Sequence, residues 1–135
     1  MIYAINHIGI VVRDIQSAQD FYIEKLGLKL STIEVNEAYK VKIAFFPIGQ
    51  VMIELIEPLN KDSALACYLK EHGEGIHHIA FESDDLNREM KRLVALGTPL
   101  IDTVPQPGGQ GSRVAFIHPE AANGVSVELL EKINK

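Results

Sequence analysis

The sequence predicts an α+β fold built from two copies of one βαβββ module. Three observations carry this prediction. Segments recur in the same order at a nearly constant interval: "HIGIVVRDI" from His7 and "HIAFESDDL" from His78 are 71 residues apart, and at the same interval Asp14 and Ile15 meet Asp85 and Leu86. "LGLKL" at 26–30 resembles "LGTPL" at 96–100, "KIAFF" at 42–46 resembles "RVAFI" at 113–117, and "IELI" at 53–56 resembles "VELL" at 127–130. Internal self-similarity of this kind marks a duplicated structural unit. Within each copy a β-branched run is followed by a helix-period stretch and then by three more strand-like runs. Finally, 135 residues suffice for one domain and are too few for two independent ones.

The elements follow in order. Asn6 to Val12 is rich in β-branched residues and reads as a strand. Asp14 suits an N-cap. Ile15, Ala18, Phe21, Tyr22 and Leu26 then fall at helical spacing, and Gly27 is a stop. Strands are expected over 28–35, 40–47 and 50–57, separated by Asn36-Glu37 and Pro47-Ile48-Gly49. A short helix over 62–72 links the copies. The second module has a strand at 76–82 and a helix from Asp84 or Asp85 to Leu96, with Leu86, Met90 and Leu93 on one face. Strands near 99–104, 112–118 and 124–131 finish it. Between them "VPQPGGQGS" predicts a loop that moves or borders a ligand. The domain is thus 1–135, with module 1 at about 3–57, a linker at about 58–73 and module 2 at about 75–131.

Composition bounds the function. Hydrophobic residues make up 47% and charged residues 23%, enough apolar material for a core. The net charge of −5, with no basic tract, argues against nucleic acid or an anionic membrane as partner. Cys67 is the single cysteine, which excludes an intrachain disulfide and suits a reducing compartment. It reads as a small buried or half-buried hydrophobe. The start, MIYAINH, lacks the layout of a signal peptide, and no apolar run reaches the roughly 18 residues of a membrane span. These features predict a soluble cytoplasmic protein.

The repeat also singles out residues. "GIHHIAF" carries two adjacent histidines, and His78, not His77, is the partner of His7. Strand neighbours point to opposite faces, so His78 shares a face with Ala80 as His7 does with Gly9. A small residue two places along leaves room beside each ring. His77 points the other way and reads as a structural residue that could brace the site. Glu54 and Glu128 form a second equivalent pair, each in the middle of an apolar strand, where an uncompensated charge is expensive. If the modules pack about a pseudo-twofold axis, two imidazoles and two carboxylates converge, a set suited to a divalent metal such as Co, Ni, Zn, Mn or Fe. His72 and His118 have no histidine partner in the repeat and read as surface or loop residues.

With these residues in hand, the whole chain resembles the vicinal oxygen chelate superfamily (glyoxalase, bleomycin resistance, dioxygenase), and most of all its methylmalonyl-CoA epimerase branch. The segments that carry the likeness are "NHIGIVV", "IELIEPLNKDS", "GEGIHHIAFE", "PGGQGSRVAFIHP" and "NGVSVELLE". The resemblance implies a glyoxalase-like fold, in which paired modules form a curved mixed sheet around a central metal. By motif it places the ligands of a divalent ion (Co, Zn, Ni or Mn) on His7, Glu54, His78 and Glu128. It implies an acyl-CoA substrate and proton abstraction beside a thioester carbonyl, with the enolate stabilised by the metal. Glu128 matches a glutamate with an acid/base role. Some relatives carry a second glutamate on the third strand; here Lys42 takes that position, and Glu37, on the preceding turn, is the nearest carboxylate. Arg113, Gly109 and Gly111 are expected near the substrate's carboxylate or phosphates, since backbone N–H groups of a glycine-rich turn bind anions. Homodimers are common in the family.

Three alternatives share the scaffold. A glyoxalase I (lactoylglutathione lyase) type enzyme uses the same two-His, two-Glu set on a thiol hemithioacetal. A metal-free binding or resistance protein would have no use for an intact ligand quartet. An iron-dependent ring-cleaving dioxygenase needs two His and one carboxylate, which leaves one glutamate surplus.

Overall fold

The structure, a computed structural model, describes residues 1–133. Strand β1 (Ile2–Val11) leads into helix α1 (Ile15–Gln19), which continues as a π-helical segment over Asp20–Lys25. Strands β2 (Thr32–Asn36), β3 (Val41–Ile48) and β4 (Val51–Pro58) follow. Helix α2 (Ala64–His72) leads to β5 (Gly75–Ser83), helix α3 (Leu86–Ala95), and strands β6 (Gln106–Pro107), β7 (Arg113–Ile117) and β8 (Val127–Glu131). This is the α+β order expected from the repeat. Among the described residues no helix is long and apolar enough to cross a membrane.

The chain divides into two compact units. One is His7–His77. The other is Met1–Asn6 together with the residues from His78 on. In the first, the strands run β2-β3-β4-β1, and in the second β6-β7-β8-β5. Both units repeat one pattern: two antiparallel pairings and then a parallel one, β1 with β4 and β5 with β8. Parallel neighbours need a long crossover, and here it is the helix and two intervening strands.

Both faces of the first unit's strands are covered. Val11, Val41, Ile43, Phe45, Ile56 and Leu65 form a core cluster on one face, against α2. Val12, Ile15, Ala44, Phe46 and Leu55 form another on the α1 side. In the second unit Leu86 and Met90 of α3 pack on Ala115, Ile117 and Leu129. Each helix start is capped by a side chain, Asp14 and Asp85 as the sequence suggests and Ser63 in addition. Asp14 accepts from the Gln16 amide at 3.1 Å, Asp85 from Arg88 at 3.1 Å and Ser63 from Ala66 at 3.1 Å.

Several expectations need correction. The first helix is not one regular run. The Leu26 amide bonds to the Phe21 carbonyl, five residues back, and the wider turn packs both Tyr22 and Ile23 against the core. The strand expected over 28–35 is β2 alone, although Leu28 and Leu30 still pack inward. The strand expected at 99–104 reduces to a single bridge between Leu100 and Ile117. Pro99 supplies no N–H to a ladder, and the Asp102 side chain takes the Phe116 amide at 2.7 Å, a donor that a strand partner's carbonyl would otherwise use. Cys67 is exposed rather than buried.

Candidate functional site

In the unit His7–His77, His7 and Glu54 come from the parallel pair β1/β4. Gly9 lies in register with Glu54 and His7 with Met52, so His7 and Glu54 share one face. Gly9 brings no side chain to that face. His7 Nδ1 lies 3.0 Å from Glu54 Oε2, and both side chains are more than nine-tenths buried. The same face carries Val11, Ile56, Ile43 and Phe45, so the pair sits at the border of an apolar core.

The second unit builds the same arrangement from β5/β8. Ala80 lies in register with Glu128, placing His78 and Glu128 on one face. His78 Nε2 is 3.7 Å from Glu128 Oε1, and both are again buried. Phe116, opposite Glu128 across β7/β8, meets the His78 ring edge-on with centroids 5.2 Å apart. Each unit therefore holds one imidazole nitrogen and one carboxylate oxygen together in an apolar setting. Such a setting penalises an isolated charge and favours a cationic partner. These are donors that a divalent first-row metal accepts.

His77 faces away from His78, as strand alternation requires. Its ring stands edge-on to Tyr68 of α2 at 4.6 Å, and Tyr68 stacks on His72 at 4.2 Å. Burial, with a smaller contribution from nearby His72, pulls the His77 pKa down to about 4, so the ring is neutral at ordinary pH.

Lys42 and Arg113 are not brought to the histidine faces. On β3, Phe45 lies opposite Glu54 whereas Lys42 lies opposite Glu57, so Lys42 points to the helix side. Its Nζ is 4.0 Å from Glu57 Oε1. On β7, Phe116 lies opposite Glu128 whereas Arg113 lies opposite Glu131, again the helix side. The two residues are repeat mates, and a single step of strand alternation sets both on the face opposite the histidines. Gly109 and Gly111 belong to a tight 3₁₀ turn with Gln110 in the left-handed region at φ 55°. The turn is internally bonded: the Ser112 hydroxyl donates to the Gly109 carbonyl at 2.8 Å, and the Gly108 amide to the Ser112 carbonyl at 2.9 Å. A Cβ at Gly108 would fall 2.4 Å from Ser112 Oγ and 2.6 Å from Val114 Cγ1, so the loop presses directly on β7. Glu37 is exposed on its turn.

Sequence reasoning missed two kinds of residue. Glu57 and Glu131 each follow a candidate ligand by three residues. Glu57 Oε1 accepts the Ile15 amide at 2.8 Å and Glu131 Oε1 the Leu86 amide at 2.8 Å, so each strand carboxylate caps the helix of its own unit. The signal was present in "ELIE" and "ELLE". Glu82 is the other. It is buried on β5, on the face of His78, and takes hydrogen bonds from the Tyr3 hydroxyl and from Asn6 Nδ2 (3.0 Å), with Lys132 Nζ at 3.7 Å. Burial pushes its carboxyl up, but the Tyr3 and Asn6 hydrogen bonds and Lys132 together outweigh this and hold it below the usual range. The Tyr3 phenol, hydrogen-bonded to Glu82, is pushed up to about 12.

Comparison with known proteins places the arrangement. Residues 6–116 match the model of the Glyoxalase/Bleomycin resistance protein/Dioxygenase superfamily. The chain belongs to that superfamily and has its glyoxalase-like fold. It is 44% identical over 127 residues to the uncharacterized protein YqjC of Bacillus subtilis, covering 94% of this chain and 91% of that one. It is 35% identical over 129 residues to the mitochondrial methylmalonyl-CoA epimerase of Dictyostelium discoideum, covering 95% of this chain and 78% of the relative. Among solved structures, a single-substitution variant of Streptomyces coelicolor methylmalonyl-CoA epimerase, in complex with 2-nitronate-propionyl-CoA, matches with a TM-score of 0.95 and 33% identity. The match covers 99% of this chain and 97% of that one.

Proposed function

We propose that this chain is a metal-dependent epimerase that interconverts the two C2 epimers of methylmalonyl-CoA. The observation that carries the reading is the paired His–Glu arrangement, found once in each unit, in a chain similar along its whole length to epimerases of this substrate. His7, Glu54, His78 and Glu128 are the proposed ligands of one divalent ion. These four residues would hold the ion, and it would supply Lewis acidity that makes the weak carbon acid at C2 easier to ionise.

The protein's own groups do the rest. A carboxylate oxygen of Glu128 takes the C2 proton; a proton from solvent water, delivered to the opposite face of C2, completes the inversion, and Glu128 returns its own proton to water. Phe116 packs edge-on against His78, which is itself buried. Exclusion of water strengthens each electrostatic contact in the site. The second acid/base role is not carried forward for Lys42, which faces Glu57, and Arg113 is not carried forward as an anion contact.

The test is proton NMR of methylmalonyl-CoA in D2O with protein and added Co2+. The expected result is loss of the C2 proton signal, abolished by EDTA. Retention of that signal with Co2+ demonstrably bound would overturn the epimerase reading. Turnover of the methylglyoxal–glutathione hemithioacetal by the same sample would then assign the lyase reaction.

A further inference from the structure

We propose that Glu57 and Glu131 are positioning residues that fix the register of the two parallel strand pairs, and so hold each histidine beside its glutamate. The argument starts from connectivity. No tight turn joins β1 to β4 or β5 to β8; each pair is closed by a helix and two further strands. Nothing local therefore sets how far one strand slides along the other. A slip of two residues keeps every side chain on its own face, so the apolar pattern opposes it weakly. Yet it would carry Glu54 about 6.6 Å along β1, out of reach of His7.

The two glutamates supply the missing constraint. Ile15 follows the end of β1 by four residues and Leu86 follows β5 by three, so each helix start is tied closely to its histidine strand. Glu57 lies on β4 three residues beyond Glu54, and Glu131 lies on β8 three beyond Glu128. Each sends its carboxylate to the opposite face and accepts the first helical amide at 2.8 Å. Sequence separations of 42 and 45 residues show that these are not self-caps. The local caps are separate, because Asp14 and Asp85 take the amides of Gln16 and Arg88. One residue type at one spacing thus does one task on each strand: the first glutamate faces the histidine, and the second locks the strand that carries it. Lys42 and Arg113 stand across from these locking carboxylates, so their charge sits on the helix side. The consequence for metal binding rests on the ligand set proposed above; the register role does not.

The experiment compares wild type with Glu57→Ala, Glu57→Gln and Glu131→Ala, using amide hydrogen exchange and histidine ring 15N shifts of the metal-free protein, and Co2+ titration followed by visible absorption. Glu57→Ala should deprotect the amides of Ile15 and Val12, the latter bonded to the Ile56 carbonyl. It should shift the His7 ring nitrogens while leaving those of His78 in place, and Glu131→Ala should do the reverse. Loss of an outer partner typically lowers metal affinity about 10–100-fold, and Co2+ affinity should fall in that range. Glu57→Gln keeps an acceptor oxygen and should stay close to wild type. Should Glu57→Ala fail to fold, Glu57→Asp, which retains the charge but is one methylene short, decides by the same readouts. Unchanged Val12 and Ile15 protection in the alanine variant, or in the aspartate variant if that is the one that folds, overturns the proposal. If wild type binds no Co2+, the ligand set fails while hydrogen exchange still decides the register role.

Discussion

The two units carry the same machinery in different settings. In each, a parallel strand pair sets a buried His beside a buried Glu, a second Glu three residues on grips a helix start, and an Asp caps that helix. Their cores differ. Val11 is fully buried among apolar neighbours in the first unit, whereas its repeat mate in the second is Glu82, buried and satisfied by Tyr3, Asn6 and Lys132. The ring geometry differs as well. His7 turns Nδ1 to its glutamate at 3.0 Å, and His78 turns Nε2 at 3.7 Å. The groups that face the site and those that fix strand register are alike in the two units, while one core slot holds an apolar side chain in the first and a hydrogen-bonded carboxylate in the second.

The largest expected effect tests the shared part. His78→Ala should abolish stoichiometric Co2+ binding and epimerisation together, whereas His77→Ala, which removes a ring packed on Tyr68, should keep the metal. Equilibrium dialysis of the two variants distinguishes them, and stoichiometric Co2+ on His78→Ala would break the equivalence of the two pairs.

The next effect tests the divergent slot. Glu82→Ala removes the hydrogen bonds that the buried carboxylate takes from Asn6 and Tyr3 and should cost about 1–3 kcal/mol in urea unfolding. Val11→Ala at the mate should cost about 1–3 kcal/mol through lost burial instead. A third experiment uses pH. The Glu82 carboxyl is held below its ordinary value in the folded state, so its contribution is present above the unfolded value of 4.5 and is lost as pH falls through the folded value. Melting temperature measured from pH 6 down to pH 3 should fall more steeply for wild type than for Glu82→Gln; parallel curves would contradict the assignment.

The smallest effects sharpen the comparison. Gly108→Ala must push aside Ser112 and Val114 and should cost about 1–3 kcal/mol, as overpacking does. Asp14→Ala and Asp85→Ala should each cost about 1 kcal/mol, the usual worth of an N-cap. Unequal losses, read from thermal unfolding, would show that one helix start relies more on its strand glutamate.

Much of this was legible in the sequence because the repeat records it. The 71-residue interval pairs His7 with His78 and Asp14 with Asp85, and strand alternation separates His77 from His78. Lys42 and Arg113 show what such reading leaves open. Both matched loosely to motif positions, and a one-residue step on a strand decides the face, which only the register with Glu54, Glu57, Glu128 and Glu131 reveals. The 99–104 strand failed for a different reason: apolar residues suggested a ladder, but the Asp102 carboxylate takes the Phe116 amide and leaves only the Leu100–Ile117 bridge. Glu82 was hidden because its partners Tyr3 and Asn6 lie more than 70 residues away. The π-helical segment has no local sequence mark that separates it from an ordinary helix.

The division of β1 has a practical consequence. Its first residues, through Asn6, belong to the unit that begins again at His78, and the remainder belongs to the other. A cut at the repeat boundary near Gly73 therefore yields no self-sufficient half. A fragment starting at Gly75 would bury Glu82 without the hydroxyl and amide that Tyr3 and Asn6 bring to it, and the complementary piece would carry that polar strand end with nothing to receive it. Mixing the two fragments should restore a folded protein that neither forms alone.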